Sequence, residues 1–108
     1  METEKKIEIA ERISKELVDV KRTEWTKWVE YYKIKHDLDK AISFSHTLSD
    51  YPMLRVGPKK AFRRITSVMI KNKKIIDKIP FNEVSEIFGY IGWFISIPSG
   101  FGMWKDEE

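Results

Sequence analysis

Apolar residues at Ile7, Ala10, Ile13, Leu17 and Val20 recur every three or four positions, the period of one helical face. Neither proline nor glycine occurs from Met1 through Tyr51, so residues from about Thr3 to Lys40 read as helix. After Lys21 and Arg22 the stripe changes phase and resumes at Trp25, Trp28, Tyr32 and Ile42, with Leu38 between. Thr23 sits at that break, placed to cap a second helix. One long helix with a phase slip and two helices with a hinge both fit, and the phase change favours two. A helical piece over about Asp37 to Leu48 either continues this element or stands apart. Tyr51-Pro52 closes it, because the residue before a proline leaves the α region.

Val56-Gly57-Pro58 reads as a turn that delivers Pro58 to the first position of a new helix, where a missing N–H costs nothing. From Lys59 to about Lys78 the pattern is clearest. Phe62, Ile65, Val68, Met69, Ile75, Ile76 and Ile79 share one face; Lys60, Arg63, Arg64, Lys71, Lys74 and Lys78 share the opposite one, with Ser67 in the gap. Pro80 stops the helix. Asn82 is placed to cap a last helix, Glu83 to about Ile95, with Glu83 and Glu86 beside its positive end. Its inner face takes Val84, Ile87, Phe88, Ile91 and Phe94. Ser85, Gly89, Gly92 and Ser96 form a second stripe of small residues, where another backbone can approach, within the chain or from a partner. Ile97 to Gly100 then reads as a turn that folds Phe101, Met103 and Trp104 back onto the core. The alternation of Trp93, Ile95 and Ile97 also fits a short hairpin. The expected architecture is all-α: a compact bundle of four or five helices in one domain, residues 1–108, with 1–4 and 105–108 frayed.

Length and composition agree: 108 residues with 42% apolar and 34% charged side chains suit one domain with its own core. The absence of cysteine removes disulfides and thiolate metal sites, and fits a reducing, cytoplasmic setting. The mixed charge after Met1, with no apolar run, argues against a signal peptide.

Charge changes the picture more. Arg55 to Lys78 holds nine of the twenty basic residues and one acid, Asp77, so the segment carries +8 while the whole chain carries +3. A basic block on one face is an electrostatic footprint for a polyanion. Lys60, Arg63, Arg64, Lys71, Lys74 and Lys78 are therefore the candidate phosphate contacts of a nucleic acid. A merely hydrated face, an acidic protein or a lipid surface are the competing readings, and the eleven acids through Asp50 can neutralise part of the stripe. The aromatic cluster Trp25, Trp28, Tyr31 and Tyr32 reads mainly as core, with Tyr31 the ring expected outside. The uncharged run Ile87 to Trp104 is long enough to approach a membrane span, but Pro98, four glycines and Ser96 to Ser99 argue against one. His36 and His46 have no partner at metal-ligand spacing, and no nucleophile elbow or phosphate-cradling glycine loop occurs. No catalytic residue, metal or cofactor is expected.

One stretch carries a family likeness. Lys59-Lys-Ala-Phe-Arg-Arg-Ile, a basic linker, Ile79-Pro-Phe-Asn and Ile87-Phe-Gly-Tyr-Ile-Gly-Trp93 together resemble the C-terminal, post-palm region of phage- and retron-type reverse transcriptases. Gly89 stands where those proteins carry a serine, and their Tyr-x-Asp-Asp motif is missing. The resemblance implies a free-standing segment that handles nucleic acid without polymerising it, with Arg63, Arg64 and the nearby lysines against a template–primer backbone. The expected function is a non-enzymatic nucleic-acid-binding or nucleoprotein accessory protein. The alternative is a small protein-interaction module of viral or mobile-element origin, using Ser85, Gly89, Gly92 and Ser96 as an interface, with a homo-oligomer as one form of it.

Overall fold

A computed structural model describes residues 1–96, which form five α-helices and, among them, no strand. These are α1 (Thr3–Glu16), α2 (Arg22–Lys35), α3 (Leu38–Ser49), α4 (Val56–Ile76) and α5 (Phe81–Ser96). The all-α bundle is as expected. The turn after Ile97, the returning Phe101, Met103 and Trp104, and the frayed 105–108 lie outside the described residues. Helix α5 runs through Trp93 and Ile95 to Ser96, so the hairpin alternative fails at its first strand.

Residues 3–40 hold two breaks. Leu17 and Val20 are buried and anchor the first loop, in which Asp19 takes a positive φ of 69°. Aspartate is among the few side chains that visit this region readily. Helix α2 then starts at Arg22 with Lys21 at its cap position, so Thr23 lies inside the helix and caps nothing. The second break is His36, left-handed at φ 55°, whose N–H reaches the Tyr32 carbonyl at 2.8 Å. Asp37 then caps α3 by accepting from the Lys40 N–H at 3.1 Å. Helix α3 is thus a separate element. Helix α4 begins three residues earlier than the pattern indicates, which puts Pro58 at its third position, still within the turn whose N–H groups need no partner. In α5 the Pro80 carbonyl accepts from both Glu83 and Val84 at 3.0 Å, so Asn82 sits within the first turn and is not the cap.

Ion pairs and hydrogen bonds give the helix directions. Lys6 pairs with Glu86 at 2.7 Å and the Met1 ammonium with Glu83 at 3.1 Å, so α1 and α5 run parallel. Ser45 meets Thr66, and Asp39 meets Lys73, so α3 and α4 are antiparallel across a short loop. Helix α2 packs against α3, α5 and, more lightly, α4, joining the two pairs.

The joint is aromatic. Trp25 and Trp28 stack with centroids 5.2 Å apart, and Phe88 of α5 stands edge-on to Trp25 at 5.4 Å. Both indoles are fully buried, and each finds an acceptor, as a buried N–H must. Trp25 Nε1 donates to the Phe88 carbonyl at 3.0 Å and Trp28 Nε1 to the Ala41 carbonyl at 2.8 Å. Tyr31, expected outside, is half-buried and stacks on Phe44 at 4.1 Å.

Gly92 lies under this joint: a Cβ there would stand 3.4 Å from Trp25 Cδ1. Truncating Trp25 to alanine should cost about 3–5 kcal/mol in urea unfolding, the range for large core aromatics. Gly92→Leu should cost about 1–3 kcal/mol by overpacking against Trp25, independent of protein concentration.

Candidate nucleic-acid interface

Helix α4 buries Ala61, Phe62, Ile65, Thr66, Val68, Met69, Asn72 and Ile76. Two polar contacts within that arc set its rotation. The Ser45 and Thr66 hydroxyls meet at 2.7 Å between α3 and α4, and each also lies within reach of a carbonyl of its own helix, Ile42 and Phe62 respectively. One hydroxyl donates to the other, which donates to its carbonyl, so no buried oxygen is left unpaired. At the far end Asn72 Nδ2 donates to Glu16 Oε1 at 3.0 Å and to the Val68 carbonyl at 2.8 Å, fastening the end of α1 to α4.

With the inner arc held this way, Lys60, Arg63, Arg64, Lys71 and Lys74 all face solvent, as does Lys78 in the turn beyond the helix. Lys60 to Lys74 spans about 21 Å of helix axis at 1.5 Å per residue. Among the described residues no carboxylate lies within 4.0 Å of Lys60, Arg63, Arg64, Lys74 or Lys78. Lys71 is the exception: it pairs with Glu16, although its side chain stays 70% exposed. Lys73, outside the stripe, is neutralised by Asp77 at 2.6 Å and Asp39 at 3.3 Å, and these pairs raise its pKa. The amino-terminal acids therefore take up one of the six candidate cations.

The first half of α4 concentrates positive charge. Arg55 stands at its cap position, Lys59, Lys60, Arg63 and Arg64 follow, and the first turn holds no acid. The helix dipole adds partial positive charge at the same end, an arrangement unfavourable to the isolated helix and favourable to a bound anion. Beside it, Lys60, Arg63, Arg64 and Ser67 line a hollow of about 420 Å³, together with Asp19 from the α1–α2 loop. Sequence periodicity marks the cations but not Asp19, which a loop brings from about forty residues away. Two exposed isoleucines flank the stripe, Ile70 at 59% and Ile75 at 41%. Ile75 thus leaves the buried face assigned from its period, because it lies just past the edge of that arc, beside Lys71.

The small-residue stripe of α5 divides. Gly92 is occupied by Trp25 of the same chain, whereas a Cβ at Gly89 would meet no atom within 4 Å, so that position is open. Ser85 is half-buried, and Ser96 is exposed with its hydroxyl donating to the Trp93 carbonyl at 2.8 Å. Gly89 instead borders a groove of about 610 Å³ between α1 and α5, shared with Ile7, Glu86, Tyr90, Trp93 and Phe94. His36 stacks on Phe81 at 4.0 Å, and among the described residues no three acidic or histidine side chains converge as a metal site.

No family model, curated protein or solved structure matches this chain. Among the described residues no helix is long and apolar enough to cross a membrane.

The Glu16 contacts predict a pH dependence. Hydrogen bonds from Lys71 and then Asn72 hold its carboxyl below its ordinary value of 4.5, more than offsetting burial. The folded chain binds this proton more weakly than the unfolded one. The stabilisation is therefore whole above about pH 4.5 and is lost as pH falls through the lower folded value. Glu16→Gln should cost about 1 kcal/mol or less at pH 7, the scale of solvent-screened pairs, and progressively less as pH falls below 4.5, measured by denaturant midpoints.

Proposed function

We propose that this protein binds the sugar–phosphate backbone of nucleic acid through the outward face of α4, as a non-enzymatic nucleic-acid-binding or nucleoprotein accessory protein. The observation that carries this reading is the set of five solvent-facing cations, Lys60, Arg63, Arg64, Lys74 and Lys78, outside every ion pair among the described residues. A surface built for solubility alone intersperses the two signs. Here the first half of α4 gathers Arg55, Lys59, Lys60, Arg63 and Arg64 with no acid in its first turn, the end where the helix dipole opposes cations, which a polyanion offsets. Contacts of this kind position a strand without reading its bases, so binding should be largely independent of sequence. Lys71 joins by exchanging Glu16 for a phosphate. The post-palm likeness, which places Arg63 and Arg64 against a template–primer backbone, supports the same assignment.

Fluorescence anisotropy with labelled oligonucleotides over a salt series tests it. Five phosphate contacts predict a slope of log affinity on log salt of about −4.5 for duplex and about −3.5 for single strands. Arg63→Glu with Arg64→Glu should weaken binding at least tenfold and flatten the slope by about two contacts' worth. A slope near zero, or no binding at low salt, contradicts the reading.

The groove at Trp93 favours a second reading, an interaction module that docks another protein. Trp93 is 58% exposed and stands edge-on to Phe94 beside the open Gly89, an unusual position for the largest apolar side chain. Light scattering and pull-down with Trp93→Ala and Tyr90→Ala test it. Loss of an oligomer or of a captured partner in these variants, with oligonucleotide binding unchanged, favours this second reading.

A further inference from the structure

The hollow beside α4 holds one group that a pure phosphate clamp does not need. Asp19 lines the same hollow as Lys60, Arg63, Arg64 and Ser67, a space of about 420 Å³, within the size range of small-ligand sites. Its carboxylate pairs with none of these cations within 4.0 Å. Nor is it loosely placed. Leu17 and Val20 are buried on either side, the Val20 N–H reaches the Leu17 carbonyl at 3.3 Å, and Asp19 itself holds a left-handed φ of 69°.

A carboxylate beside a phosphate site repels the strand unless the strand offers it a hydrogen-bond donor, because an ionised carboxylate only accepts. Along a nucleic-acid backbone the one such donor is the ribose 2′-hydroxyl, which deoxyribose lacks. Resting on the assignment of α4 as the backbone-binding face, we propose that this hollow seats one nucleotide unit of an RNA strand. Lys60, Arg63 and Arg64 hold its phosphate, Ser67 donates to a phosphate oxygen, and Asp19 accepts from the neighbouring 2′-hydroxyl. The protein is then an RNA binder that discriminates against DNA at the sugar.

Three oligomers of identical length test this directly: uridine, deoxyuridine and 2′-O-methyluridine, which differ only at the 2′ position. Affinities are compared for the wild-type chain and for Asp19→Gly, a substitution that the left-handed backbone accommodates freely. Wild type should bind oligouridine about tenfold tighter than the other two, the weight of one hydrogen bond to a charged group. Asp19→Gly should bring all three together by weakening oligouridine and relieving the repulsion felt by the other two, with its melting temperature maintained. Equal wild-type affinity for the three, or an equal gain for all of them in Asp19→Gly, overturns the proposal and makes Asp19 a simple repulsive charge. Displacement of the strand by micromolar uridine monophosphate overturns it in favour of a free-nucleotide site. If none of the three oligomers binds, the assignment of α4 fails with it, whereas equal binding removes the sugar discrimination alone.

Discussion

Burying Phe62, Ile65, Thr66 and Met69 against α3 leaves α4 little freedom to rotate about its axis. A turn of one residue, about 100°, would bring arginine or lysine into the packed layer and expose the apolar arc, at several kcal/mol for each unpaired charge. The Ser45–Thr66 contact narrows the choice further, since rotation would forfeit the hydrogen bond between the helices and leave each hydroxyl only the carbonyl of its own helix. The outward direction of the cations thus follows from what the opposite side must bury. Apart from Lys71, which pairs with Glu16, they enter no ion pair among the described residues. The first half of α4 even runs against local preference, with cations gathered at the positive helix end, and conflicts of this kind are expected where function imposes them.

The rest of the chain places that helix. Helix α2 joins the α1–α5 and α3–α4 pairs through Trp25, Trp28 and Phe88, with both indole N–H groups satisfied by backbone carbonyls of neighbouring helices. Helix α1 ends beside the last third of α4, where Glu16 meets Lys71 and Asn72. The loop that follows brings Asp19 into the hollow lined by Arg63 and Arg64. The groove at Trp93 lies on the α1–α5 pair instead, and the two surfaces share no lining residue.

How much of this the sequence carries depends on the kind of interaction involved. Periodicity is local and strong, so the helical class, the buried tryptophans of α2 and both faces of α4 are legible from spacing alone. Boundaries are less so. His36 ends α2 in a left-handed conformation that glycine usually marks, and Lys21 and Pro80 occupy cap positions for which Thr23 and Asn82 are the better residue types. Edge positions also mislead: Ile75 falls just beyond the buried arc, and Tyr31 finds Phe44 through a packing that no spacing encodes. Gly92 receives Trp25 of its own chain, and Asp19 reaches the basic face only through the tertiary fold.

The most direct measurement of whether the α4 face is the binding surface is an NMR titration of the labelled protein with a single-stranded oligonucleotide, following arginine side-chain and backbone N–H signals. The arrangement described predicts saturable shifts at the Arg63 and Arg64 guanidinium groups and along Lys60 to Lys78, with Ile7, Tyr90 and Trp93 unmoved. Shifts confined to the groove around Trp93, or none along α4 at concentrations where binding is otherwise detected, would contradict it.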